Sequence, residues 1–115
     1  MHELGLCSAI VDAVERRAGD RAVARVRVQV GRLHHVHPEA FDQSFAVAAQ
    51  GTVAEGATAE LVLVPVTSRC ASCGYQWDTD DLPAVCPRCE AIEVMPVGGD
   101  ELVLELVEYE PEERR

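Results

Sequence analysis

The stretch AVARVRVQVG at residues 22–31 carries the clearest structural pattern in the chain. Its valines Val26, Val28 and Val30 alternate with polar residues, and successive side chains of a β-strand point to opposite faces. The pattern therefore predicts a strand with one apolar face and one polar face, which ends at Gly31.

Amphipathic patterns on both sides of this strand predict two helices. In the first helix, predicted from Leu4 to about Ala18, apolar residues recur at three- and four-residue steps. The second helix is predicted to start near Pro38 and to stop at Gly51, with a length of about three turns. Its expected apolar face consists of Phe41, Phe45 and Ala48.

Two further apolar runs predict the remaining strands. The run AELVLVPVTSR at residues 59–69 is nearly continuous and predicts one strand buried on both faces or close to it. Pro65 indicates that its pairing is interrupted or at an edge. The run ELVLELVEY at residues 101–109 predicts a strand that returns to the same sheet. The expected fold class is α+β, with two helices on a three-stranded sheet and a zinc-ribbon-like module inserted before the last strand.

The inserted module contains two C-x-x-C pairs, CASC and CPRC, separated by twelve residues. Two such pairs facing each other give four thiolates in tetrahedral geometry, which zinc prefers. Iron or an iron–sulfur cluster remains an alternative because four thiolates alone do not select the metal. A thiolate at every position leaves no open site, so the metal is expected to be structural. The predicted ligands are Cys70, Cys73, Cys86 and Cys89.

The charge of the chain narrows its expected partners. Twenty acidic residues against ten arginines and no lysine give a formal net charge of -10, which opposes binding to nucleic acid and to anionic membranes. The missing lysine also excludes a P-loop for nucleotide phosphates. No secretory signal or membrane span is visible, so the expected location is the cytoplasm.

The first residues, MHE, offer a second set of metal ligands. The α-amine of Met1, the amide nitrogen of His2 and its imidazole can close two adjacent chelate rings, which suits the planar preference of Ni(II) or Cu(II). Glu3 has three possible roles here: it offers a carboxylate oxygen, its amide, or a contact that orients a neighbouring ligand. The histidines at 34, 35 and 37 have two interpretations, a polar loop that caps the second helix through His37 or an extra metal site. The first is favoured.

The combination of MHELGL, the strand ending in Gly31, VHPEAFDQSFAVAAQGTVAEGA and the two cysteine pairs resembles the HypA/HybF family of nickel metallochaperones. The resemblance extends from Met1 to Tyr109. It implies a nickel site formed by Met1, His2 and Glu3, and structural zinc on the four cysteines. The sequence departs from the family pattern at Glu90, where a glycine is common. This departure puts in question whether the turn after Cys89 is kept, but not the ligands.

The resemblance also implies what the protein does and with which partners. It implies a non-enzymatic carrier that delivers Ni(II) for the maturation of [NiFe]-hydrogenase and, in some members, urease. The implied partners are a nickel-handling GTPase and the hydrogenase large subunit, and a homodimer is left open. The alternative is a zinc-ribbon adaptor without nickel cargo. The predicted domains are an α+β nickel-binding domain (1–68 and 96–110), a zinc-binding module (69–95) and a frayed tail (111–115).

Overall fold

The structure is a computed structural model that describes residues 2–111, so Met1 and all but the first residue of the predicted tail lie outside the described part. Two α-helices are present, α1 (His2–Ala18) and α2 (Pro38–Ala49), and a 3-10 helix at Arg32–His34 precedes α2. No helix within residues 2–111 is long and apolar enough to cross a lipid bilayer. The strands are β1 (Val23–Gly31), β2 (Thr58–Val64), β3 (Val66–Cys70), β4 (Gln76–Thr79), β5 (Val94–Pro96) and β6 (Leu102–Tyr109).

The six strands form two three-stranded sheets, and the predicted α+β class is confirmed. The first sheet has the order β2-β1-β6, so the strand with the clearest alternation occupies its centre. The second sheet has the order β4-β3-β5, with both outer strands antiparallel to β3. The zinc-ribbon-like insertion therefore contains a sheet of its own, which the sequence did not predict.

The predicted interruption at Pro65 is confirmed, but the prediction of one strand across residues 59–69 is wrong. The chain breaks at Pro65 into β2 and β3, which belong to different sheets. Proline has no N–H to donate to a ladder, so neither strand continues through it. Nor is β2 buried on both faces, because Thr58 and Glu60 are exposed at this edge of the first sheet.

The described residues belong to two compact units, each assembled from separate stretches of the chain. Among the described residues, the first unit contains 2–28, 36–62 and 103–111, and the second contains Gln29–His35 and Leu63–Leu102. The functional division into a nickel-binding domain and a zinc-binding module remains a prediction.

The core of the first unit is formed by the apolar faces of α1, α2 and β1. The helix α1 begins at His2, two residues earlier than predicted, and it buries the predicted stripe from Cys7 to Ala18. On α2 the buried alanine is Ala49 and not Ala48, because Ala49 lies one turn beyond Phe45. Val26 and Val28 of β1 are fully buried in this core, and Val30, which belongs to the second unit, is also fully buried, so the alternation in β1 is confirmed.

The polar face of β1 carries an ion-pair network within the first unit. Glu60 of β2 contacts both Arg25 and Arg27 at 2.9 and 2.8 Å. From β6, Glu108 pairs with Arg25 at 2.8 Å and Glu105 with Arg27 at 3.4 Å. These side chains remain 31–49% exposed, and exposed pairs of this kind add little to stability because water and salt screen their charges. Their main effect is to fix which face of the sheet points to water.

In the second unit two backbone segments lie side by side and are joined by hydrogen bonds. The N–H of Gly31 donates to the carbonyl of Glu101 at 2.8 Å, and the N–H of Leu33 donates to that of Gly99 at 2.9 Å. A Cβ atom at Gly31 would lie 1.9 Å from the Gly99 carbonyl oxygen. Gly31 is therefore required for space, and it does more than end the strand.

Candidate metal centre

The cysteine pairs form two tight turns of the same design. In the first, Cys70 closes β3 and its Sγ accepts hydrogen bonds from the N–H groups of Ser72 and Cys73 at 3.3 and 3.4 Å. In the second, the Sγ of Cys86 accepts from Arg88 and Cys89 at 3.4 and 3.5 Å. Each turn thus orients a sulfur by backbone groups, whose geometry does not depend on side-chain rotamers.

The four sulfur atoms of these turns converge on one point. Their Sγ atoms all lie within 4.8 Å of one another, and no other group of three or more His, Cys, Asp or Glu side chains in residues 2–111 does so. The Cys70–Cys89 and Cys73–Cys86 sulfur pairs lie 3.6 and 3.7 Å apart. Tetrahedral thiolates at the Zn–S bond length would be separated by about 3.8 Å. The cluster therefore has the dimensions of a metal site with four sulfur ligands.

The donor set fits a closed, structural metal. All four cysteines are free thiols, with Cys70 and Cys86 buried and Cys73 and Cys89 exposed. Four soft sulfur ligands in tetrahedral positions suit zinc or iron, and they leave no coordination position for water or substrate. Convergence of both pairs also distinguishes the cluster from a single dithiol of the thioredoxin kind.

The backbone turns also favour the ionised form of the buried thiols, which is the form that binds metal. The N–H of Cys73 is the main cause of the lowered pKa of Cys70. For Cys86, burial opposes ionisation most strongly, yet hydrogen bonds from the N–H groups of Cys89 and Arg88 bring its pKa down to about 7. The turns thus favour thiolates at Cys70 and Cys86, whereas the pKa of Cys89 is raised, because the lowering effect of the Ala91 backbone is outweighed by hydrogen bonds with neighbouring sulfur atoms and by burial.

The turn questioned at Glu90 is preserved in the second cysteine pair. Gly74 and Glu90 occupy equivalent places, since their N–H groups donate at 2.9 Å to the carbonyls of Cys70 and Cys86 respectively. Both residues adopt the left-handed backbone conformation, with φ of 81° at Gly74 and 64° at Glu90. A side chain in this region costs about 1–2 kcal/mol, so the second turn is made with a strained residue.

Replacing Glu90 by glycine should therefore stabilise the metal-bound protein. We expect Glu90→Gly to raise the free energy of unfolding by about 1 kcal/mol, since glycine relieves the strain but loses entropy on folding. Chemical denaturation with metal present measures the change. As the matched reverse substitution, Gly74→Ala should lower stability by a similar amount, because its Cβ meets nothing within 4 Å and only the left-handed φ opposes it. Stability changes of opposite sign for Glu90→Gly and Gly74→Ala would support the equivalence of the two turns. A loss of stability in Glu90→Gly would contradict it.

An aromatic stack covers the cysteine turns. The rings of Tyr75 and Trp77 are stacked with centroids 5.7 Å apart, and the guanidinium of Arg88 lies 5.0 Å from the centre of the Tyr75 ring. Because Tyr75 follows the first turn and Arg88 lies inside the second, these contacts connect the two halves of the centre. The half-buried Trp77 packs within the second unit.

The residues predicted to bind nickel lie at the beginning of α1. Met1 is outside the described residues, and the exposed His2 is the first residue of the helix. The Glu3 carboxylate accepts a hydrogen bond from the N–H of His37 at 3.4 Å. This bond is the main cause of a lowered Glu3 pKa. The carboxylate is thus engaged with α2, a contact that no local sequence signal indicated.

The three neighbouring histidines do not share one site. The Nε2 of His34 lies 2.9 Å from the carbonyl oxygen of Asp100, and that of His35 lies 3.8 Å from a carboxylate oxygen of Asp81. His37 is the N-cap residue of α2, but its side chain makes no capping hydrogen bond. The prediction that the His37 side chain caps the helix is therefore wrong. The backbone N–H of His37 instead donates to the carboxylate of Glu3.

The fifth cysteine, Cys7, is a core residue as predicted. It is fully buried on α1, and its thiol lies 3.6 Å from the carbonyl oxygen of Phe41 as a donor. Burial raises the pKa of Cys7 to about 11. A thiol that is both buried and protonated takes no part in the metal centre.

Comparison with known proteins shows relatives over nearly the whole chain. The family described as "Hydrogenase/urease nickel incorporation, metallochaperone, hypA" matches residues 1–109. The protein named Hydrogenase maturation factor HypA from Desulfitobacterium hafniense is 34% identical over 113 residues, covering 96% of this chain and 99% of that protein. Its namesake from Acidithiobacillus ferrooxidans is 37% identical over 113 residues, with 96% and 100% covered.

A solved structure shares the fold. The solution structure of the Ni metallochaperone HypA from Helicobacter pylori matches with a TM-score of 0.64 at 22% sequence identity, covering 97% of this chain and 100% of that one. With a family match over residues 1–109 and relatives above 30% identity along their full length, the chain belongs to the HypA family of nickel-incorporation metallochaperones that serve hydrogenase maturation.

Proposed function

We propose that this protein binds Ni(II) at its amino terminus and delivers it to a [NiFe]-hydrogenase under maturation. The observation that carries the proposal is the family match, which begins at residue 1 and therefore includes the M-H-E segment. Nickel is cargo in this scheme, so it must bind where it can leave again. Urease is a second client that the family description allows.

The proposed nickel ligands are the α-amine of Met1, the amide and imidazole nitrogens of His2, and a nitrogen of Glu3. The helical position of His2 and Glu3 supports this set. Amide nitrogens in the first turn of an α-helix take no part in its own hydrogen-bond ladder. A metal that replaces an amide proton there leaves the ladder intact, so loading and release need not unfold α1.

The four cysteines are proposed to hold zinc as a resident structural ion. Their sulfur spacing and closed coordination support a structural role. When bound, the ion would join the turn after β3 to the turn before β5. Two metals then have separate tasks, because thiolate ligands retain zinc whereas the terminal nitrogen ligands select nickel.

We propose that nickel delivery requires two partner proteins. With no lysine for a P-loop, nucleotide-driven steps are assigned to a nickel-handling GTPase, and the recipient is the hydrogenase large subunit. The recipient can draw nickel away by offering cysteine thiolates, which are softer ligands than amine and imidazole nitrogen. We place this exchange in the cytoplasm, and it makes or breaks no bond in an organic substrate.

A calorimetric titration of zinc-loaded protein with an unmodified Met1 tests the terminal site. We expect one Ni(II) per chain, and His2→Ala should weaken binding by more than about 100-fold, since loss of even an outer-shell partner costs roughly 10–100-fold. His34→Ala is the control, because it removes an imidazole near Asp100, away from the proposed ligands in sequence. Equal binding by the His2 variant would move the nickel site elsewhere. No binding by any variant would leave the zinc-ribbon adaptor as the better function.

A further inference from the structure

The two helices of the first unit run in the same direction with their amino termini side by side. Glu3 of α1 contacts the N–H of His37 at the start of α2. One turn later, Cys7 of α1 contacts the carbonyl of Phe41 on α2. Both pairs have the same sequence separation of 34 residues. Contacts that advance by four residues on both helices require that the two helices run in the same direction.

This arrangement is electrostatically adverse for a cation. The N-terminus of each α-helix carries about half a positive charge, and the effect is largest within the first turn. An incoming Ni(II) ion would therefore meet two helix termini of its own sign before it replaces the amide protons of its ligands. A negative group between the termini would offset this repulsion without occupying a coordination position.

The carboxylate of Glu3 also supplies something that α2 lacks. In a capping box the side chain of the N3 residue accepts a hydrogen bond from the backbone N–H of the N-cap residue. The N3 residue of α2 is Ala40, which cannot do so, and the N-cap residue His37 makes no side-chain cap of its own. Glu3 of α1 takes the place of the missing N3 acceptor.

Resting on the proposed function, we infer that Glu3 is a positioning residue of the nickel site, and that its carboxylate binds the α2 cap and not the metal. By completing the capping box of α2 from α1, it holds the first turn of α1, and with it the adjacent His2, in one place. Its charge lies where nickel and the two helix termini need an anion. The Glu3 side chain thus affects nickel binding in two ways: it fixes the position of the neighbouring ligands, and its negative charge attracts the metal ion.

Nickel titrations of Glu3 variants separate positioning from ligation. We expect Glu3→Ala to weaken Ni(II) binding about tenfold, the lower end for an outer-shell partner, while the visible absorption bands of bound nickel stay at the parent wavelengths. Glu3→Gln keeps an oxygen acceptor, so its loss should be smaller. Glu39→Gln is the matched control, because it removes one charge from the first turn of α2 without touching the His37 N–H. Shifted bands in Glu3→Ala would make the carboxylate a ligand, and equal losses in Glu3→Gln and Glu39→Gln would reduce its role to net charge.

A double-substitution cycle tests the hydrogen bond itself. His37→Pro removes the N–H donor, whereas His37→Ala removes only the imidazole. Glu3→Ala should cost about tenfold in the alanine background and less than about twofold in the proline background. Equal costs in both backgrounds would overturn the inference. Far-UV circular dichroism confirms that the proline variant keeps its helices.

A nickel-free measurement distinguishes failure of this inference from failure of the proposed function. In amide NMR spectra of zinc-loaded protein, Glu3→Ala should shift the His37 resonance more than that of any other amide in α2. An unmoved His37 resonance would refute the contact whatever nickel does. Absence of nickel binding by the unsubstituted protein would overturn the proposed function and the inference together. Normal nickel binding with no change in Glu3→Ala would overturn the inference alone.

Discussion

Replacing Gly31 by alanine should destabilise the protein by about 3 kcal/mol or more, the upper range for forcing an atom into a packed interior. The added Cβ would lie 1.9 Å from the carbonyl oxygen of Gly99, 2.1 Å from its carbonyl carbon and 2.6 Å from the nitrogen of Asp100. These are backbone atoms, so no rotamer change can relieve the overlap. The hydrogen bonds from Gly31 to Glu101 and from Leu33 to Gly99 join the same two backbone segments, so moving these segments apart would also break them.

The penalty at Gly31 comes from space and not from backbone conformation. Its φ of -67° and ψ of 146° are open to any residue. Thermal unfolding of the metal-bound protein measures the effect, with a fall of about 12 °C or more expected. Gly5→Ala is the matched control, since Gly5 lies inside α1 with nothing within 4 Å of its Cβ. The free energy of unfolding of that variant should rise by up to about 1 kcal/mol, because alanine has the higher helix propensity. Similar melting temperatures of both alanine variants would contradict the close backbone contact at Gly31.

Loss of one buried sulfur should remove the structural metal and unfold the cysteine-containing part of the second unit. Cys86→Ser is the sharpest variant, because Cys86 is fully buried and its Sγ organises the second turn. Folding of small zinc sites depends on a metal binding free energy of about 10–16 kcal/mol in peptides. We therefore expect metal content to fall from about one ion per chain to less than about a tenth. Trp77 fluorescence should change too, because Trp77 pairs with Ser68 across the second sheet.

The control for this experiment is the cysteine outside the cluster. Cys7→Ala opens a space in the core of the first unit and should lower stability, but metal content should stay at one ion per chain. Metal analysis after chelator treatment provides an independent measure. A Cys86→Ser protein with full metal content and unchanged fluorescence would contradict a four-sulfur site. A coloured parent protein would indicate iron in place of zinc, because zinc has no visible absorption.

Several features could be predicted from sequence because their signals are local. Alternating valines predicted β1 as a strand with one apolar face, and three- and four-residue spacing predicted both helices to within two residues of their starts. The two C-x-x-C pairs predicted which four side chains would converge. Each of these patterns is created by neighbours along the chain, where backbone periodicity alone decides which side chains share a face.

Other features depended on residues distant in sequence. Pro65 signalled an interruption, but only the sheet pairing showed that β2 and β3 belong to different sheets. The histidines at 34, 35 and 37 form one cluster in sequence, yet each contacts a different part of the fold. A short segment that turns from a strand into a helix points its side chains apart, and sequence proximity then says little about a shared site.

The sequence by itself determined the α+β class, the two-faced strand β1 and the four cysteines that converge, since strand alternation, helix periodicity and paired cysteines are properties of short segments. Only the tertiary structure decided the space required at Gly31 and the engagement of Glu3 with the cap of α2. The physical reason is the same in both cases. A glycine is obligatory, and a carboxylate is committed, according to which backbone atoms approach from a remote part of the chain, and packing alone brings those atoms together.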